Sequence, residues 1–516
     1  MITLSTLVLL ATQTAAQING HLTHALTNKP IPRANVQVID PADGRRVAET
    51  TSNAEGAFHF EQLPAGRYKL TTQQSRFVPY AFNGILDLQA DTKIEALTLK
   101  LTPASALNGR VVDPDGDPLQ NAQIMIYRAT PFFGEEYWLP MGGGMSDDRG
   151  VFRIAAVAPG RYLLAAKKEN SAFRTTYYPN ASVAADAQPI PIRAGEDLND
   201  LLLTLPLAKA GVIRGIFQAP GRAWIVAEAP PEQRRLAFQR DEFIPIHPQT
   251  GAFEISGLSP GNHRFQVHSR IDAQPSRIIA TGQVSLTGQD IENLTFQPVS
   301  HATLGGTVTY EGPTRPTSRI LLSYPEFGRN TFLPPATPNA ADGAFTIENI
   351  LPGRYRLLVD LGKSKAFVKS VRQGDREILG QTIDITASPQ DPLHIVISSK
   401  VATLSGKVEL SDPSLPPGVI LIEPLDRKPE ITATIGSRFP LPPINQHGAY
   451  EVPNLAPGRY RVYALEAIHP NDAYDPNLLK HLAPLATQIT LAEGEIKQLN
   501  LKQIPTAQVQ AALHQQ

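Results

Sequence analysis

Gly56-Ala-Phe-His-Phe-Glu-Gln-Leu-Pro-Ala-Gly66-Arg-Tyr-Lys-Leu70 recurs four more times along the 516-residue chain, always with its two glycines ten residues apart. The pairs are Gly56/Gly66, Gly150/Gly160, Gly251/Gly261, Gly343/Gly353 and Gly448/Gly458. After the first glycine, alternate positions are apolar: Phe58 and Phe60, Phe152 and Ile154, Phe253 and Ile255, Phe345 and Ile347, Tyr450 and Val452. This period of two predicts a half-buried strand. A proline–glycine turn follows, and we assign the left-handed backbone it needs to its terminal glycine. A second alternating strand then points Tyr68/Leu70, Tyr162/Leu164, His263/Phe265, Tyr355/Leu357 and Tyr460/Val462 inward. Each unit reads as a β-hairpin, and five spaced copies predict an all-β chain of five tandem, Ig-like antiparallel β-sandwiches.

Working outward, each unit opens on a similar phrase, such as Ile18-Asn-Gly20-His-Leu22, Leu107-Asn-Gly109-Arg-Val111 or Leu404-Ser-Gly406-Lys-Val408. Closing strands such as Leu97-Thr-Leu-Lys-Leu101 and Leu201-Leu-Leu-Thr-Leu205 precede the next opening by a few residues. The expected division is a signal peptide at 1–16, sandwich repeats at 17–102, 103–205, 206–299, 300–399 and 400–505, and a C-terminal tail at 506–516. Linkers this short predict a semi-rigid rod or arc. Pro476-Asn-Leu-Leu-Lys480 is the one short segment with helical character, and no long amphipathic helix is visible.

Lys+Arg number 47 against Asp+Glu 48, which leaves no electrostatic footprint for nucleic acid. The absence of cysteine excludes disulfides, thiolate metal sites and a cysteine nucleophile. The apolar run from Ile2 to Ala11, followed by Thr-Gln-Thr-Ala-Ala16, reads as a signal peptide cut near Ala16, and hence a secreted or periplasmic bacterial protein. No stretch has the ~20 apolar residues of a transmembrane helix.

The opening Leu-x-Gly-x-Val, the turn Asp113-Pro-Asp-Gly-Asp-Pro118 and Gly-x-Phe-x-Ile followed by Pro-Gly-Arg-Tyr resemble the carboxypeptidase regulatory-like domain. The resemblance covers all five repeats and is clearest in the first, second and fifth. The third departs from it, with Asn262-His263 in place of Arg-Tyr. It implies a transthyretin-like sandwich, grouped with carbohydrate-binding-like folds. In metallocarboxypeptidases the resembling domain is an accessory to a catalytic domain, and this chain carries none.

Chemistry-bearing motifs are few, and no catalytic residue, metal ligand or cofactor is assigned. Gly257-Leu-Ser259-Pro-Gly261 fits a nucleophile pattern but falls in a strand-to-strand turn. No His-Glu-x-x-His occurs. Asp113-Pro-Asp-Gly-Asp117 is a turn with only a fragment of a calcium loop. The candidate ligand-binding residues are Phe132, Phe133, Glu135, Glu136, Tyr137 and Trp138, in an insertion of the second repeat that lacks strand alternation. Exposed rings there would stack on a sugar face, whereas buried ones would merely cover the sheet. The repeated tyrosines read as core rings with their hydroxyls on backbone groups. The functional reading is a non-enzymatic binding or structural protein of the cell envelope, acting on an unknown protein or glycan. The alternatives are a carbohydrate-binding protein and an accessory to a separate envelope peptidase or transporter.

Overall fold

The computed structural model describes residues 15–132, 135–168, 173–207, 211–228, 243–256, 258, 261–272, 276–323, 333–426 and 441–514. In the first unit the opening strand Ala16–His24 lies between Ala57–Leu63, antiparallel to it, and the closing strand Lys93–Leu101, parallel to it. The facing sheet runs Arg46–Thr51, Asn35–Ile39, Gly66–Gln73, Tyr80–Ala81, with Leu86–Leu88 also on Gly66–Gln73. Ile18, Leu22, Phe58, Phe60, Tyr68, Leu70, Leu97 and Leu99 fill the space between the sheets. The same two-sheet plan closes within 105–204, 213–298, 302–398 and 402–504. In the fifth unit the strand Leu501–Ile504 pairs with both Ala402–Glu409 and Gly458–Leu465 and so joins the sheets.

The repeated motif is not a hairpin. Ala57–Leu63 pairs with the opening strand, whereas Gly66–Gln73 pairs with Asn35–Ile39 in the other sheet. Val151–Val157 and Gly160–Lys167, Ala252–Ile255 and Gly261–Arg270, Ala344–Ile350 and Gly353–Asp360, and Ala449–Leu455 and Gly458–Leu465 divide in the same way. The motif is therefore an arch that carries the chain across the core. Both of its strands alternate apolar-in because both sheets face that core, which gives an arch and a hairpin the same pattern.

The first glycine of every pair takes the left-handed backbone, at φ +73, +71, +73, +74 and +77 for Gly56, Gly150, Gly251, Gly343 and Gly448, and the expected terminal glycine takes positive φ in three units, at +152, +142 and +149 for Gly160, Gly261 and Gly458. A Cβ on Gly56 would also stand 2.5 Å from the Leu22 carbonyl oxygen of the opening strand, and one on Gly251 2.8 Å from that of Phe217. Six residues later Gln62, Ala156, Asn349 and Asn454 take φ of +58 to +63 at a register shift of the strand. This β-bulge turns the chain out of one sheet towards the other. The glycine of each opening phrase serves close approach instead: a Cβ on Gly109 would stand 2.7 Å from Phe152 Cζ.

Two short helices were not expected as a pair. Pro476–Leu482 is capped by the Asp475 carboxylate, which accepts from the Asn477 and Leu478 amides. The predicted C-terminal tail forms the helix Thr506–His514, whose Val509 and Ala512 are buried with Leu478, Leu482 and Tyr463 against the outer face of the sheet. At the other end Ala16 is fully buried and pairs with Leu63, so a cut after Ala16 would remove the first residue of the opening strand. The rest of the predicted leader, 1–14, lies outside the described residues.

The fifth unit does not continue a rod; it returns to the first two. The Ile85 amide donates to the Ile444 carbonyl at 3.0 Å, the Gly418 amide to Asn83 at 2.9 Å and the Thr98 amide to Ser414 at 2.7 Å. The Asp87 amide donates to Gln446 Oε1 at 2.8 Å, and Gln446 Nε2 donates back to the Asp87 carbonyl at 2.5 Å. A Cβ on Gly84 would stand 2.7 Å from Pro417 Cγ, which is how closely the two bodies are packed.

Candidate functional site

The arch fixes four tyrosines in one geometry. The hydroxyls of Tyr68, Tyr162, Tyr355 and Tyr460 donate to the carbonyls of Pro64, Ala158, Leu351 and Ala456, each four residues back, at 3.1, 2.8, 2.7 and 2.6 Å. The rings are buried among the core residues of their units. Burial raises the hydroxyl pKa of Tyr68 and Tyr162 above the usual tyrosine value. Both the ring and the polar tip are thus engaged within the fold, which leaves no face for stacking on a ligand. The third unit has His263 at this position, half-buried beside Phe265 at a ring-centroid distance of 6.4 Å.

The insertion of the second unit is strand, not loop. Gln123–Phe132 and Glu135–Met145 pair antiparallel, with one register shift between Ile126 and Tyr127, and the pairs include Ala129 with Trp138, Thr130 with Tyr137 and Pro131 with Glu136. Tyr137 and Trp138 are 6% and 8% exposed. Trp138 belongs to a second apolar cluster with Leu163, Ala165, Tyr177 and Ala184 on the outer face of the sheet. Glu136 accepts from Arg161 at 2.9 Å, and that guanidinium lies 5.9 Å from the Trp138 ring centroid. Alternation is missing around Trp138 because adjacent Tyr137 and Trp138, which point to opposite faces of the strand, are both buried, Trp138 under the segment around Tyr177 and Ala184. Phe133 lies outside the described residues, and for Phe132 and Glu135 only the backbone is described. Tyr137 and Trp138 are therefore not exposed stacking rings. The exposed apolar side chains nearby are Met141 and Met145.

Asp113 folds its own turn, its carboxylate accepting from the amides of Asp115 and Asp117 at 2.9 Å each. Among the described residues no group of three or more His, Cys, Asp or Glu side chains is placed to hold a metal ion. Gly257 and Ser259 lie outside the described residues.

The polar cluster that sequence reasoning missed joins the second and fifth units. The Arg128 side chain, 4% exposed, donates through Nη2 to both carboxylate oxygens of Asp472 at 3.0 Å. Its Nη1 lies 2.7 Å from His469 Nδ1 and 3.1 Å from Nε2, and Nδ1 accepts the Asn471 amide at 3.1 Å. A Cβ on Gly160 would stand 2.7 Å from Arg128 Nε, so the arch glycine makes room for this side chain. Burial raises the Asp472 pKa; Arg128 opposes that shift and Asp475 adds to it. No local signal in the sequence points to a pair 344 residues apart.

Residues 17–102 and 106–193 each match the family described as the carboxypeptidase regulatory-like domain. The first two units are carboxypeptidase regulatory-like domains. The later units share their arch, their left-handed glycine and, in the fourth and fifth, their tyrosine bond. Similar solved structures include a Streptococcal ancillary pilin, 12% identical over 55% of this chain and 99% of that one, with a TM-score of 0.20. GBS52, a minor pilin of Streptococcus agalactiae, is 14% identical over 40% of this chain and 100% of its own, at 0.23. The Bacillus anthracis TIE protein is 10% identical over 71% and 68%, at 0.15. No curated protein matches the chain.

Proposed function

We propose that the protein is a non-enzymatic, secreted or cell-envelope scaffold whose carboxypeptidase regulatory-like and related sandwich units serve structure and binding. One observation carries the reading: the side chains that recur from unit to unit are spent inside the fold. The tyrosine hydroxyls bond their own chain four residues back, and the repeated glycines accommodate carbonyls and rings. What varies between units is their edges and outer faces, where binding surfaces evolve on a fixed framework. The leader is removed upstream of Ala16, because that residue is needed to start the first strand. Among the described residues no helix is long and apolar enough to cross a membrane.

Fractionating the source cells, sequencing the mature N terminus and probing the purified full chain on glycan and peptidoglycan arrays tests this reading. Recovery outside the cytoplasm with binding to an envelope polymer or protein supports it. Recovery in the cytoplasm with residues 1–14 retained overturns it. Co-purification with an envelope peptidase or transporter would assign the accessory role instead.

A further inference from the structure

The third unit carries a cluster of arginines with no acid paired to them. Strands Arg222–Ala227 and Gly261–Arg270 run antiparallel, with Arg222 opposite Arg270 and Trp224 opposite His268. Ala223, Ile225, Phe265 and Val267 fill the core, so the positions that alternate with them, both arginines included, point to the outer face of the sheet. Both arginines are exposed, and exposed Arg277 opens the next strand opposite Ser269 at the same end. Like charges placed directly opposite each other cost stability. Other arginines of this unit are matched, Arg214 by Glu254 and Glu292 and Arg264 by Glu228. Among the described residues Arg222, Arg270 and Arg277 have no ion pair, although Asp272 is only two positions beyond Arg270.

Aromatic rings continue the same face. The half-buried Trp224 and His268 rings stack with their centroids 5.7 Å apart and their planes 16° off parallel. Phe243, on the flanking strand Phe243–Pro245, meets Trp224 edge-on at 6.3 Å and is itself 65% exposed. Burial pushes the His268 pKa down to about 4, so its ring is uncharged near neutral pH and the positive charge at this end of the face belongs to the arginines. We propose that the outer sheet face of the third unit binds an acidic polysaccharide, with Arg222 and Arg270 holding a sugar carboxylate and Phe243, beside Trp224, lying against a sugar ring.

The inference rests on charge complementarity and spacing. A guanidinium presents a planar fork of donors that matches a carboxylate through two bonds, and an anion between two such forks relieves their repulsion. Phe243 lies opposite Val226, four residues along the sheet from Arg222, a span of about 13 Å that asks for a chain of sugars rather than a single one. A sugar ring is apolar on its faces and polar at its rim, so it covers an exposed phenyl ring while its hydroxyls stay in water. Nucleic acid also offers rings and anions, but with a phosphate at every nucleotide it calls for a continuous basic track. Here the unpaired arginines stop at one end, and the other end of the face carries Glu228, held by Arg264 and Gln266. This reading deepens the binding role proposed above by naming a ligand class, and its test reads this face alone, so its failure leaves that role to the other surfaces.

Calorimetric titration of the full-length protein with polygalacturonate tests it, with circular dichroism showing that each variant is folded. The wild type is expected to bind, and Arg222→Gln/Arg270→Gln to weaken binding by about tenfold or more. Arg67→Gln/Arg76→Gln removes the same charge from exposed positions of the first unit and is expected to change binding by no more than about twofold. Phe243→Ala is expected to weaken binding of polygalacturonate but not of poly-glutamate, which has carboxylates and no sugar rings. A wild-type chain that does not bind polygalacturonate overturns the proposal. So does an equal loss in the two double variants, or a Phe243→Ala chain that binds polygalacturonate as the wild type does. Single-stranded DNA bound more tightly than polygalacturonate, and released by Arg222→Gln/Arg270→Gln, would assign the face to nucleic acid and overturn it too.

Discussion

At the scale of single residues, the arch makes opposite demands on neighbouring positions. Tyr355 is fully buried and its hydroxyl donates to the Leu351 carbonyl at 2.7 Å. Tyr355→Phe keeps the ring and leaves that carbonyl without its donor, a loss of about 1 kcal/mol in the stability of the fourth unit, and Tyr355→Ala loses about 3 kcal/mol. Denaturant unfolding of both variants checks this, and equal losses would mean the hydroxyl contributes nothing. Ala156 points the other way. At φ +58 an alanine is held where glycine is at ease, so Ala156→Gly is expected to stabilise the second unit by about 1 kcal/mol despite glycine's greater freedom when unfolded. An Ala156→Gly chain that melts lower than the parent would contradict the strain assigned to this bulge. The alternating core was legible in the sequence because apolar periodicity needs no knowledge of the partner strand. The bulge was not, because asparagine at Asn349 and Asn454 suits the left-handed region but glutamine and alanine at Gln62 and Ala156 carry no such signal, so no common residue marks the position.

At the scale of elements, the sequence told which residues face inward but not which strand lies beside which. A proline–glycine corner between two alternating strands reads alike whether they pair with each other or cross a core, and Ala57–Leu63 and Gly66–Gln73 do the latter. The strand pairing of the second unit's insertion escaped the sequence for a related reason. Around Trp138 the strand is covered on both faces, with Tyr177 and Ala184 over the outer one, so adjacent Tyr137 and Trp138 are both buried and the stretch looks like an irregular aromatic loop. With Trp224→Phe to silence the second tryptophan, Trp138 emission is expected to be blue-shifted and protected from acrylamide. Ready quenching, or a response to glycans, would return the rings to the surface and reinstate the binding-loop reading.

At the scale of the whole molecule, sequence adjacency suggested a semi-rigid rod or arc, and long-range contacts bring its fifth unit back to its first. No spacing rule reaches from Asp87 to Gln446 across 359 positions, and neither residue type stands out where it occurs. Gln446 exchanges two hydrogen bonds with the Asp87 backbone, at 2.8 and 2.5 Å, at a junction where a Cβ on Gly84 would already collide with Pro417. Gln446→Ala removes both bonds and leaves an amide and a carbonyl of the first unit facing the fifth. The expected cost is about 1–3 kcal/mol, paid by docking rather than by the fold of either unit. Calorimetry of the full chain separates those two. Docked units melt as one coupled transition, so Gln446→Ala is expected to split the first and fifth units' melting apart. Excised residues 300–399, whose sheets close within that span, should unfold cooperatively on their own. If Gln446→Ala leaves the thermogram of the full chain unchanged, the fifth unit is not energetically coupled to the first, and the protein behaves in solution as the string of independent sandwiches that its repeats suggest.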